Sequence, residues 1–190
     1  MHKDRFQRMV FSLVLVAALQ FSVIGGPPQT PSASPPSPAF QEFTQRVQAY
    51  LKLRKTAPQE RTTKRQGEIL SRRNALAQAI REARAGAKPG DIFSPEISEQ
   101  FLQAIRSTLQ GSSASNVRKT IRQGEPVAGI RLRVNDAYPE KLPRTTVPPT
   151  LLLRLPQLPE RLAYRIVGHD FVLEDTEARL VIDFIPGALP

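Results

Sequence analysis

An α+β fold is predicted for this 190-residue chain by two contrasting periodicities and by the prolines and glycines that separate them. Apolar residues recur at helical spacing between residues 39 and 125, whereas residues 155–190 alternate at the period of a strand. Breakers such as Pro58, Gly86, Gly90, Gly111 and Gly124 bound the helical stretches, and Gly168 and Pro186 bound the strands. The architecture expected is an N-terminal helical part of three or four helices followed by a small antiparallel β-meander, with the helices covering the apolar face of the sheet.

The first 25 residues read as a signal peptide. Lys3, Arg5 and Arg8 form a basic head. Val10 to Ile24 is an apolar run broken only by Ser12, Gln20 and Ser22, and Val23 and Gly25 are small enough for cleavage before Gly26. The run is short of the roughly 20 residues a membrane helix needs, so an uncleaved inner-membrane anchor through residues 10–24 is the alternative. The expected location is therefore periplasmic or secreted. With no cysteine in the sequence, lipid attachment through a thiol and disulfides are both excluded, and the folded part must rest on core burial. Residues 26–38 carry six prolines among Ser, Thr and Ala and read as a disordered, extended spacer.

Ser37-Pro38 opens the first helix, with Ser as N-cap and Pro at the first helical position. Phe40, Phe43, Val47, Tyr50 and Leu51 supply its buried face, and Arg46, Lys52, Arg54 and Lys55 its polar one. A second helix is expected over Glu60–Ala85, with Ile69, Leu76, Ile80 and Ala83 as the buried stripe. Ser94-Pro95-Glu96 repeats the opening signal for a third helix whose core positions are Ile97, Phe101, Leu102, Ile105 and Leu109. A short fourth helix is expected over Asn116–Gln123.

Val127–Val134 reads as a strand with Ile130, Leu132 and Val134 inward. Asn135–Pro149 is a proline-rich loop, and Thr150–Leu155 a helical turn or short extended piece that Pro156 and Pro159 cut off. Leu162, Tyr164 and Ile166 then define one face of a strand. Gly168-His169-Asp170 turns it, Phe171–Glu174 runs back, and Asp175-Thr176-Glu177 turns again. Ala178–Ile185 closes the meander with Leu180, Ile182 and Phe184 on one side. Residues 39–125 thus form a basic helical region and 126–190 a small antiparallel β region, expected to fold as one unit.

The formal net charge of +10 is unevenly spread: residues 39–90 hold 12 Lys/Arg against 4 Asp/Glu, while residues 126–190 balance at 8 and 8. Lys52, Arg54, Lys55, Arg61, Lys64, Arg65, Arg72 and Arg73 are accordingly the candidate anion-binding residues, within the stretch 46–73. Behind an export signal the anion is a lipid headgroup or an envelope polymer rather than chromosomal nucleic acid, and a solvated helix face explains the same charges without a ligand.

Catalytic signals are sparse. His169 with Asp170 is the first place for an acid–base pair, but neighbours on a strand or tight turn point apart. Asp91, in the Pro89-Gly90 turn, is a third candidate that the turn itself explains. Asp170, Glu174, Asp175, Glu177 and Asp183 could gather oxygen ligands for calcium, yet their spacing matches no EF-hand loop. Zinc lacks its usual His and Cys. No metal site and no cofactor is predicted.

Two stretches carry a resemblance. ARAGAKPGDIFSPE (83–96), with its Gly90-Asp91-Ile92-Phe93, and the C-terminal LPQLPERLAYRIVGHDFVLEDTEARLVIDFIPGALP (155–190) resemble a group of uncharacterised exported bacterial proteins. The resemblance spans most of the chain beyond the spacer. It implies an envelope or extracellular address and a shared fold, and it carries over no activity and no functional residue. The expected function is an exported, non-catalytic binding or scaffolding protein whose partner is an envelope protein or anionic envelope polymer, with membrane contact if the signal stays uncleaved. Two alternatives stand beside it: a hydrolase using His169 and nearby carboxylates, and a polyanion-binding protein acting through residues 46–73.

Overall fold

Ser37 begins the folded chain as the sequence predicts. In the computed structural model, which describes residues 37–56, 66–110, 115, 131–139 and 145–189, its Oγ accepts from the backbone N–H of Phe40 at 3.3 Å and opens α1, Pro38–Lys55. Ser94 does the same for α3, Pro95–Gln110, accepting from Ile97 N–H at 3.4 Å. Beside it Glu96 is held below its ordinary pKa by a bond to its own backbone N–H and by Ser94. Between them lies α2, Gln66–Ala83.

Four strands form one antiparallel sheet in the order β1 (Thr145–Thr146), β2 (Leu162–Val167), β3 (Asp170–Asp175), β4 (Leu180–Ile185), with a single-turn helix, α4 (Pro149–Leu152), after β1. Gly168, at φ 59°, takes the first position of a two-residue hairpin between the paired Val167 and Asp170, the conformation a type II′ turn requires. The α+β class and the order of its parts are thus as predicted.

One face of the sheet packs against the helices. Phe43 of α1, Phe101 of α3, Phe93, Tyr164 and Phe171 form a ring cluster with centroids 5.0–6.3 Å apart. Ile80, Ile97, Ile105, Leu151, Leu173, Leu180 and Ile182 fill the space around it. The opposite face is also covered. Tyr138 is buried there with Val167, Val172 and Val181, and Leu132 and Phe184 pack on them.

A β-bulge explains why Phe184 leaves the face it shares with Leu180 and Ile182 in the sequence pattern. Leu173 pairs with Asp183 but Glu174 pairs with Val181, so Ile182 is an extra residue in β4. Beyond it the alternation is inverted. Ile185 and Asp183 turn to the helices, and Phe184 to the other face.

Two further expectations are corrected. Residues 131–134 form no strand. Edge pairing with β4 comes instead at 135–138, where Asn135 N–H donates to Val181 O (2.8 Å), Val181 N–H to Asp136 O (2.9 Å) and Tyr138 N–H to Arg179 O (2.7 Å). Asn135 adopts φ 68°, which its short amide tolerates, and redirects the chain there. In α2 the buried residues are Leu76, Ala77 and Ile80, whereas Ile69 is 39 % exposed and Ala83 is on the surface. The signal segment 1–25, all but the last two residues of the 26–38 spacer, the expected helix Asn116–Gln123 and the start of the expected strand, 127–130, lie outside the described residues. The described residues all belong to one compact unit.

Candidate functional site

The groups most suited to chemistry are taken up by the fold. His169 Nδ1 lies 3.1 Å from Leu189 O; since a carbonyl only accepts, Nδ1 carries the proton. Leu189 N–H returns a bond to His169 O at 3.0 Å. The Asp170 carboxylate accepts from Gly187 N–H at 2.9 Å. The two neighbours therefore grip different points of the C-terminal tail and share no proton. Asp91 is a turn residue: its Oδ2 accepts from Lys88 N–H at 2.9 Å, and its carbonyl accepts from Arg46 at 2.6 Å.

The remaining acids divide between the two faces of the sheet. Glu174 faces the smaller cluster and pairs with Arg165 (2.8 Å) and Arg179 (3.5 Å). Asp183 and Asp175 face the helices and are fully buried. The bulge aims the Asp183 carboxylate at the Gly90–Phe93 loop, where it accepts from Gly90 N–H (3.1 Å), Ile92 N–H (2.8 Å) and Phe93 N–H (2.8 Å). The 83–96 stretch and the C-terminal meander meet at this point. Gly90 sits at φ 94°, a backbone conformation that side chains disfavour.

Asp175 is the second buried knot. Its Oδ2 accepts from Tyr50 Oη (2.7 Å) and Arg54 Nε (2.8 Å), and its Oδ1 from Glu177 N–H (3.0 Å) and Ala178 N–H (2.8 Å). Arg54 also bonds Glu177. Burial lowers the Arg54 pKa, but the charge and hydrogen bond of Asp175, joined by Glu177, more than offset this and hold it above its ordinary value. Burial, reinforced by Asp175, pushes the Tyr50 phenol far up, so it stays a neutral donor. Arg84 lies 5.4 Å over the Tyr50 ring and bonds Asn135 Oδ1 at 2.9 Å. Burial lowers its pKa. Among the described residues no group of three or more His, Asp or Glu is placed to hold a metal ion.

The basic set is likewise redistributed. Arg54, counted above among the anion-binding cations, is 4 % exposed and turned inward. Lys52 and Lys55 are exposed, Arg72 and Arg73 half-buried, and none of the four makes a hydrogen bond or ion pair among the described residues. Arg61, Lys64 and Arg65 lie outside those residues.

What the sequence pattern does not single out is an open groove of about 630 Å³ at the edge of the sheet. Leu152, Leu153, Leu155 and Pro156 line one side, and Ala163, Tyr164 and Arg165 of β2 the other. β1 is only two residues long and pairs with Arg165 and Ile166, so Leu162–Tyr164 has no partner strand on that side among the described residues. Leu151 plugs the core, which turns Leu152 and Leu153 outward at 43 % and 88 % exposure. Arg154 beside them is exposed and unpaired among the described residues. The run Leu151-Leu152-Leu153 is the signal that could have revealed this, because three consecutive residues of a helical turn cannot all face one core.

Comparison with known protein families, with curated protein sequences and with solved structures finds no match for this chain. Among the described residues no helix is long and apolar enough to cross a membrane.

Proposed function

We propose that the chain is an exported, non-catalytic binding module of the bacterial envelope, and that its ligand surface is the groove beside the open edge of β2. The observation that carries this reading is Leu153, 88 % exposed in an apolar groove next to a stretch of β2 that has no partner strand among the described residues. The ligand that fits is an extended, apolar segment of an envelope protein, which would add a strand to Leu162–Tyr164 and lay alternate side chains on Leu152, Leu153 and Pro156. The engagement of His169, Asp170 and Asp91 by main chain supports binding over turnover. The basic, then apolar, N-terminal segment supports export.

A photo-crosslinking residue at Gln157, which lines the groove, tests both halves in the native host. The expected result is one discrete adduct in the envelope or secreted fraction that disappears in Leu153→Asp. An adduct indifferent to Leu153→Asp, no adduct at all, or a cytoplasmic protein overturns the proposal.

A further inference from the structure

The first half of α2 is amphipathic and leaves its apolar residues exposed. Leu76, Ala77 and Ile80 are its buried stripe. One heptad earlier, on the same side of the helix, come Ile69, Leu70 and Arg73. There the stripe is uncovered: Ile69 and Leu70 are 39 % and 46 % exposed, and Gly67 to Ser71 are all on the surface. Arg72 and Arg73 flank the apolar pair. With Lys52 and Lys55 in the last turn of α1, they are cations without a hydrogen bond or ion pair among the described residues. By contrast Arg46, Arg54, Arg81, Arg84, Arg106 and Arg165 hydrogen-bond an acid or a carbonyl, and Arg161 and Arg179 lie in ion pairs with Glu177 and Glu174.

We infer that this lateral face of α2 docks on the surface of a membrane bearing anionic phospholipids. Charge decides among the occupants. A second copy would bring like-charged faces together, since residues 39–90 carry 12 cations against 4 acids. Residues 57–65, which join α1 to α2 in sequence, add three cations against one acid, so charge does not favour them as the occupant. A soluble polyanion satisfies the cations and leaves Ile69 and Leu70 in water. An anionic bilayer surface satisfies both, with the apolar pair entering the headgroup boundary and the long Arg and Lys stems carrying their charges outward to phosphate.

The chain contains no tryptophan, so Leu70→Trp in the full-length protein is a single-site reporter that residues 10–24 cannot mimic. With phosphatidylglycerol vesicles its emission is expected to shift to shorter wavelength and to be quenched by brominated lipid. Gln103→Trp, on the exposed side of α3, is expected to show neither change. Adding Arg72→Gln and Arg73→Gln to the reporter should weaken the partition about 10- to 30-fold, and phosphatidylcholine vesicles or high salt should weaken it comparably. Unchanged emission of Leu70→Trp, or an equal shift at position 103, overturns the inference. So does binding to polyphosphate through the same four cations without any vesicle signal. Leu153→Asp leaves the reporter unaffected, which separates this test from that of the groove.

Discussion

Arg54 and Asp175 look on paper like one more surface cation and one more turn acid. In the fold each is the other's counter-ion, in the seam between α1 and the β3–β4 turn. A buried pair of this kind adds little net stability over an apolar substitute, but removing one partner leaves a charge that nothing balances. Arg54→Met is therefore expected to destabilise by about 3–5 kcal/mol, read as a lower urea midpoint at unchanged slope. A shift below about 1 kcal/mol, the range of exposed pairs, would mean that water reaches Asp175. Arg54→Lys should recover only part, because one ammonium cannot bond Asp175 and Glu177 as the guanidinium does. The phenols of Tyr50 and Tyr164 set an alkaline limit. Both are raised, mainly by burial, above the unfolded value of about 10. The folded state thus holds these protons more tightly than the unfolded chain. Stability is intact below about pH 10 and falls as pH climbs from there toward the folded values. Tyr50→Phe and Tyr164→Phe together should flatten that fall in a pH series of thermal melts; an unchanged alkaline limb would assign it to other groups.

At the level of elements, the bulge at Ile182 matters most, because it puts Asp183 among the helices rather than on the opposite face. Asp183→Ala leaves the N–H groups of Ile92 and Phe93 without their acceptor in a buried loop, at about 1–3 kcal/mol for each group left unsatisfied. Hydrogen exchange should show amides 92 and 93 losing protection first, while those of β3 keep theirs; uniform loss across the sheet would mean that the loop and sheet unfold together. Here lies the boundary of what the sequence discloses. Ser37, Ser94 and Gly168 act on residues within three or four positions, so their caps and turn were readable, as was the apolar face of α1. The bulge arises from pairing between strands, and no local pattern marks Ile182 as the extra residue; alternation alone therefore misplaces Phe184. Residues 131–134 have the alternation of a strand, yet pairing is decided by Asn135 and by what β4 offers. Periodicity places the exposed front of α2 in the buried stripe because it shows which side of a helix is apolar and not how far along it a partner extends. The groove depends on β1 being two residues long, a fact about its neighbours rather than its own sequence.

Across the molecule, the excess positive charge and the uncovered apolar surface act against each other. An open edge beside Leu153 invites pairing with another copy, and a net charge of +10 keeps copies apart. Salt weakens only the second effect, because screening at about 1 M shortens the reach of charge to about 3 Å and leaves apolar contact intact. The protein is therefore expected to self-associate increasingly between about 0.05 and 1 M salt, as followed by sedimentation velocity on the full chain. Leu153→Asp adds a charge and removes the most exposed leucine at once, so it should abolish the rise, whereas Arg72→Gln with Arg73→Gln should bring its onset to lower salt. If association in Leu153→Asp still climbs with salt, the contact between copies runs through another surface, and the β2 edge is better protected than its geometry implies.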